Sequence, residues 1–453
     1  MGRSNGVPPG PTGNIIFGHF AEYSRDPLGF LQRCAQNYGS VSSFRLPGAR
    51  FFLLSDPELI ASVFAATNSK FINHGGMRTP LSRLLFGTGI LTTEGDEWRR
   101  QRSLTFPSFH HSSVSTYAEF MVDETRKMLD DWPANGRISI FEEMTNLTLR
   151  ILTRTLLRSS MSEKLFDITK AFLDLRDGFL LKHRLQSFGM LLPLPVKRKY
   201  RNAVARLDNA VKEIIAERRS DAAAHDDLLS VLISAKHANG EPISDSQLQS
   251  EIKTFLFTGI FGAAHPLGWS SFLISRHEDV YANLLAEMET VLGDGEISVA
   301  TVRKCVYAQW IVKEALRLYP PIWASGREAV VDTSVGEYSV PKGTQLIMSQ
   351  WVTQRDPRFW RDPNVFDPGR WGENGSRPKY SYFPHGGGPR FCMGDYFAEM
   401  LSVIVITMTA RRFRLRPASM TDVELIPSYA LFPAGNVELQ VARRAAASSA
   451  FHS

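Results

Sequence analysis

The sequence predicts a mainly α-helical protein with a minor β part, and three observations carry that expectation. Most of residues 95–320 repeats apolar side chains at helical spacing. Strand-like runs are confined to short stretches punctuated by Pro and Gly. No internal repeat and no clear linker divides the 453 residues, so a single domain is expected over 15–442. A flexible leader (1–14) and a disordered tail (443–453) flank it.

The elements follow in order. The leader MGRSNGVPPGPTGN is rich in Pro and Gly, and the next stretch, GSVSSFRLPGARFFLLSD, reads as a hairpin turning at Pro47-Gly48. GDEWRRQR places Trp98 and Arg102 four apart, on one helix face. The longest helix starts at SDSQ, where Ser244 and Gln247 fit a capping box, and its apolar pattern runs to about Ser275. It would span roughly 45 Å at about 1.5 Å per residue. Its middle, FTGIFGAAHPLGW, is unusual: Gly259, Gly262, Gly268 and Pro266 all weaken a helix. Strand-like patterns return at 337–348 and 423–441, and the tail RRAAASSAFHS has no apolar periodicity.

Apolar residues make up 43% and charged residues 22%, the balance of a globular protein with a large core. No stretch reaches the roughly 20 apolar residues of a membrane span. The N-terminus lacks the apolar region of a secretory signal, so a cytoplasmic location is expected. Net charge is +6, without a basic run interleaved with aromatics. That disfavours nucleic acid and suits steering of an acidic protein partner. Cys34, Cys305 and Cys392 are far apart and odd in number, forming neither a disulfide framework nor a zinc knuckle. Any one of them with a chemical task works alone.

Cys392 is the candidate. It lies in HGGGPRFCMG, where Gly386, Gly387 and Gly388 permit close backbone approaches, and Gly394 precedes the apolar helix DYFAEMLSVIVITMTA. A sulfur just before a helix N-terminus meets unpaired N–H donors and the positive dipole end, which favours thiolate, a metal ligand. Arg390 can pair with an acidic group of whatever that sulfur binds. The loop suits a flat, anionic, metal-bearing cofactor. An inert buried thiol is the usual alternative for a lone cysteine.

KEALRLYPP sets Glu314 and Arg317 three apart on one helix face, and FDPGRW ends near Arg370. Singly these read as ordinary surface groups. The order W-x-x-x-R, E-x-x-R, F-D-P-x-R-W and G-x-R-x-C-x-G resembles the cytochrome P450 family, over nearly the whole chain. That resemblance implies a triangular haem-thiolate fold with a long central distal helix, and haem b (iron protoporphyrin IX) as cofactor. It implies Cys392 as axial iron ligand, with Gly388 and Gly394 shaping the loop beside the haem. Arg390, Arg102, Trp98 and Arg327 would partner the haem propionates. Glu314, Arg317 and Arg370 would form a buried structural triad. The family usually has Phe seven residues before the cysteine; here that position is His385, a neighbour able to tune the sulfur, with Phe383 two residues earlier.

The distal helix departs further. Where relatives carry an acid followed by a threonine, this chain has Phe261, Gly262 and then Ala263, none with a transferable proton. Pro266 has no N–H for the carbonyl of Gly262, so a kink and a water held there are expected, reached by Thr258 or His265. A monooxygenase of secondary metabolism, supplied by ferredoxin and ferredoxin reductase, is the expected function. The alternative is haem-thiolate chemistry without dioxygen activation: peroxide-dependent oxidation, or a redox-neutral rearrangement, dehydration or cyclisation. A haem sensor is the third reading, and no signalling module supports it.

Pocket positions implied by the resemblance are apolar: Phe257, Phe261, Ala264, Ile322, Trp323, Ala324, Leu431 and Phe432. They suit a hydrophobic small molecule of terpenoid, polyketide or fatty type. SFGMLLPLP (187–195) fits a lid, and the protein is expected to be a monomer. The paired acids Asp226 and Asp227 suggest either a magnesium–diphosphate site or a helix start, and the helix start is preferred.

Overall fold

Pro47 and Gly48 turn the chain between β1 (Val41–Leu46) and β2 (Ala49–Leu54), with Gly48 at φ 80°. Inward-facing Phe52 and Leu54 are fully buried, which sets the register of the hairpin against the core. Three further strands, β3 (Phe71–Asn73), β4 (Ser325–Ala329) and β5 (Gln345–Met348), complete a sheet of order β1-β2-β5-β4-β3. The β2–β5 pair is parallel; the other pairs are antiparallel. The computed structural model describes residues 6–157, 168–175, 195–221, 227–236, 240–293, 295, 297–373, 375 and 377–444.

The described part of the leader is fastened to the sheet. Ser43 N donates to Pro9 O at 2.8 Å, and Ser43 Oγ to Pro8 O at 2.6 Å. Prolines lack a donor but keep a carbonyl, so a Pro-rich segment can serve as an acceptor strip along an edge strand.

Six helices frame the core: α1 (Gly95–Thr105), α2 (Ala118–Asp131), α3 (Ile140–Leu156), α4 (Asp245–Arg276), α5 (Val306–Leu318) and α6 (Asp395–Arg412). Helix α4 has 32 residues, about 48 Å at 1.5 Å per residue, and packs on α3, α5 and α6. Being buried nearly all round, it lacks an apolar stripe, as a central helix should. Only half of the expected capping box forms. Ser244 Oγ accepts from Gln247 N at 3.2 Å, but Gln247 Nε2 reaches across to Glu97 Oε1 at 2.8 Å.

Helix α4 stays helical through Pro266, because neighbouring helices hold it along its length. Its glycines differ in kind. A Cβ on Gly259 would stand 2.8 Å from Leu152 Cδ1, and one on Gly268 2.6 Å from Phe141 Cε1, so close packing demands both. A Cβ on Gly262 would meet nothing within 4 Å.

Helix α5 carries a buried ion cluster. Arg317 grips Glu314 through Nε and Nη2 at 2.9 and 2.8 Å, and Arg370 Nε reaches the same carboxylate at 2.8 Å. Trp371 Nε1 donates to Glu314 at 3.0 Å, and Arg317 Nη1 also caps the carbonyls of Gln354 and Pro363. Two guanidiniums facing one carboxylate are tolerable in the interior because their remaining donors meet carbonyls. Among the described residues, no helix is long and apolar enough to cross a membrane.

Candidate functional site

The loop before α6 is shaped by glycine. Gly386 and Gly388 have φ 72° and 66°, left-handed values that strain other residues. A Cβ on Gly388 would stand 2.2 Å from Phe64 O, and one on Gly387 2.5 Å from Phe64 Cδ2. The loop therefore lies flush on the helix carrying Phe64. Gly394 caps α6 with φ −91°, a conformation open to any residue, and lines the cavity, where a side chain would project toward whatever the cavity holds. Cys392 N donates to His385 O at 3.1 Å, closing the loop. The sulfur-bearing residue faces a cavity of about 360 Å³, whose opposite wall includes Thr258, Gly259, Phe261, Gly262 and Ala263 of α4.

Cations gather on the cavity rim. Arg102, Arg327 and Arg390 all line it, beside Trp98. Arg390 forms an ion pair with Glu94, donates to Thr93 O at 2.8 Å, and its guanidinium sits 4.5 Å from the Trp98 ring centroid. Arg102 lies 5.7 Å from that ring, as the spacing of four predicts. Arg327 donates to Thr67 Oγ1 at 3.1 Å and to Gly326 O at 2.8 Å. Neither Arg102 nor Arg327 has a carboxylate partner among the described residues. Burial lowers all three guanidiniums, Arg327 to about 10, with Arg390 adding to the effect there. Three cations face one ion-paired carboxylate, Glu94, with Asp395 acting on Arg102 without an ion pair, so the wall carries a positive excess. A flat ligand with two carboxylates and a metal open to sulfur fits this donor set.

Burial and, less strongly, Asp395 push the Cys392 thiol up to about 11, while Gly394 N–H and Arg102 act in the lowering direction that the helix N-terminus argument expects. Cys392 is open to the cavity yet enclosed by protein, and dehydration of the charge outweighs the dipole. Thiolate at this position requires the charge of a bound metal.

His385 also lines the cavity, and burial holds its imidazole below the ordinary range. Phe383 does not take its place: it packs on Phe64 and Tyr380, at 6.0 and 6.4 Å, in the small core under the sheet.

The distal wall differs from the expected one in several places. His265 lies among Phe141, Phe261 and Phe432, with ring centroids 6.1, 5.5 and 5.0 Å away, behind the lining rather than in it. Phe257 and Phe432 are likewise core residues packed on Phe261, and Ala264 and Leu431 are buried outside the lining. Ile322 does line the cavity. Trp323 and Ala324 line a second chamber of about 580 Å³ that shares Asn73, Leu91, Ile322, Ser325, Arg327 and Tyr429 with the first. Residues missed in the sequence include Ile90, Leu91, Leu152, Leu156 and Tyr429. Tyr429 sits in the turn between paired strands Leu425–Pro427 and Leu431–Pro433, so it projects where its neighbours in the ladder cannot. Thr258 Oγ1 donates to Thr254 O at 2.7 Å, leaving its oxygen able to accept.

Asp227 caps helix Leu228–Ile233, accepting from Ser230 N at 2.8 Å, and pairs with Arg218 at 2.8 Å. This is the helix-start reading rather than a metal site; Asp226 and most of the expected lid at 187–195 lie outside the described residues.

Comparison with known proteins agrees with this geometry. Cyclooctatin synthase of Streptomyces melanosporofaciens is 31% identical over 427 residues, covering 93% of this chain and 92% of that protein. Cyclooctat-9-en-7-ol 5-monooxygenase of the same organism is 30% identical, covering 93% and 91%. Pentalenene oxygenase of Streptomyces avermitilis is 27% identical over 95% of this chain and 96% of that protein. Residues 8–441 match the family described as Cytochrome P450. The chain belongs to the cytochrome P450 family.

Proposed function

We propose that this haem b monooxygenase oxidises a terpenoid skeleton, with Cys392 as the axial ligand of the iron. The observation that carries the reading is one cavity framed by a lone sulfur, two arginines without an ion-pair partner among the described residues and an apolar helix wall. Haem b supplies the iron centre at which dioxygen is activated. Arg102, Arg327 and Arg390, with Trp98, would hold the two propionates, and Glu314, Arg317 and Arg370 would fix the fold behind them. The terpenoid assignment is supported by relatives named for cyclooctat-9-en-7-ol and pentalenene. It is supported too by walls of Ile90, Leu91, Leu152 and Phe261. Electrons would come from ferredoxin and ferredoxin reductase, to a monomer in the cytoplasm.

Protons need another source than residues 261 and 262. Thr258 lines the cavity one helical turn from Gly262, whose carbonyl has no Pro266 N–H to accept. A water donating to that carbonyl would keep its other hydrogen for the cavity once Thr258 turns its own hydroxyl hydrogen from Thr254 O onto that water, and the proton delivered would be replaced from bulk solvent through further waters. The same bare stretch favours a second reading, turnover without dioxygen activation. The test incubates the purified holoenzyme with polycyclic terpene hydrocarbons and alcohols, NADPH, a surrogate ferredoxin and its reductase. A product one oxygen heavier that requires reductant supports the proposal. Product formed equally without reductant overturns it in favour of the second reading.

A further inference from the structure

We infer that Glu251 is a buried proton store that supplies the cavity along α4 through Thr254 and Thr258. Gln247, Glu251, Thr254, Thr258 and Gly262 follow one another at spacings of four, three, four and four. At about 100° per residue they share one helix stripe about 80° wide. Thr254, Thr258 and Gly262 line the cavity, and Glu251 stands one turn before Thr254. Its carboxyl reaches the wall: Oε2 accepts at 3.1 Å from the N–H of Ile90, itself a lining residue. The loop carrying Ile90 lies flush on the stripe, where a Cβ on Gly89 would stand 2.6 Å from Thr254 Oγ1.

The interior carboxylate of Glu314 is answered by two cations, Arg317 and Arg370. Glu251 is 1% exposed and has none: its Oε1 is without a partner among the described residues. The charged group acting on it is Glu97 of α1, which pairs with Arg100. Arg83, on helix Pro80–Phe86, is exposed; Arg218 pairs with Asp227 and Lys253 with Asp208. Burial therefore pushes the carboxyl up to about 8, against the lowering effect of Ile90 N–H and with Glu97 adding to the rise. An acid that keeps its proton at neutral pH, on an oxygen bound to nothing, suits proton donation rather than anchoring.

Each hydroxyl on the stripe can take up a proton. Thr254 Oγ1 donates to Ser250 O and Thr258 Oγ1 to Thr254 O, both at 2.7 Å, which leaves each oxygen able to accept. Helix residues three or four apart have Cβ atoms about 5–6 Å apart, a gap that one water spans. Glu251 gives its proton through such a water to Thr254, whose own hydrogen turns from Ser250 O toward Thr258. Thr258 accepts that proton and passes its own hydrogen to the water at the Gly262 carbonyl, and so into the cavity. Each hydroxyl keeps one hydrogen, and Glu251 is left as a carboxylate on Ile90 N–H. Solvent reloads it beside half-exposed Glu97, which Gln247 Nε2 ties to the stripe at 2.8 Å. This role rests on the monooxygenase reading, in which the cavity consumes protons.

The holoenzyme and E251Q, which keeps an uncharged acceptor for Ile90 N, are compared with terpene substrate, NADPH, surrogate ferredoxin and reductase across neutral and alkaline pH. Product per NADPH consumed should fall about fivefold or more in E251Q at pH 7, with haem absorption unchanged. In the parent it should decline as pH rises through about 8, where Glu251 loses its proton, and E251Q should show no such step. A merely structural carboxyl predicts neither, because E251Q should unfold at a higher temperature than the parent. Infrared spectra of the parent at pH 7 should show a protonated-carboxyl band that E251Q lacks. Equal coupling in E251Q and parent, or no such band, overturns the inference alone. A parent that forms no oxygenated product at any pH fails the monooxygenase reading and this role with it.

Discussion

Glu251→Gln should stabilise the protein, increasingly so as pH rises. Glu251 is 1% exposed on α4; its Oε2 accepts from Ile90 N at 3.1 Å, and Oε1 has no partner among the described residues. Burial pushes the carboxyl from 4.5 to about 8, with Ile90 N–H opposing and Glu97 adding to the rise. Below about pH 4.5 both folded and unfolded chains hold the proton and the residue is silent. Between there and about pH 8 only the folded chain holds it, so stability falls as pH rises and levels off above. At about 1.4 kcal/mol per tenfold, the cost at pH 8.5 is on the order of 4 kcal/mol. Gln carries no charge and keeps an acceptor for Ile90 N. Thermal unfolding of both holoproteins, followed by far-ultraviolet circular dichroism at pH 5, 6.5 and 8.5, reads the difference. The variant should nearly match the parent at pH 5 and exceed its Tm by on the order of 5 °C at pH 8.5. Parallel curves with no widening gap would refute the reasoning.

Other consequences follow from the same geometry. Gly388→Ala places a Cβ at a left-handed φ and 2.2 Å from Phe64 O, so haem-to-protein absorbance should fall severalfold. Glu314→Ala strands Arg317 and Arg370 as buried cations, costing about 3–5 kcal/mol in chemical unfolding. Restoring the proton-bearing pair with F261D/G262T should raise product formed per NADPH consumed, because nothing within 4 Å of Gly262 obstructs a side chain; unchanged coupling would contradict a shortage of proton donors.

Much of this molecule was legible in its sequence, for physical reasons. The hairpin at Pro47-Gly48, the long central helix and the α5 and α6 helices follow from local periodicity and turn chemistry, which need no tertiary information. Trp98 and Arg102 share a face because helical spacing dictates it. The cavity wall was less legible. Phe257 and Phe432 have the composition of pocket residues, but a two-layer aromatic cluster places them behind Phe261 and Tyr429, and only packing distinguishes the layers. Leu91 sits in a loop without periodicity. The burial of Cys392 was less legible, since the dipole argument is local whereas burial depends on every chain segment around the sulfur. The difference between packing glycines (Gly259, Gly268) and the open Gly262 is likewise invisible in one dimension.

A bond between the residue 392 sulfur and iron underlies the chemistry proposed for this cavity, and the visible spectrum of the reduced carbon monoxide complex reports that bond. The purified protein should give the red-shifted band of thiolate ligation, lost in Cys392→Ser. A spectrum of the histidine-ligated globin type, or one that the serine variant leaves unaltered, would contradict it.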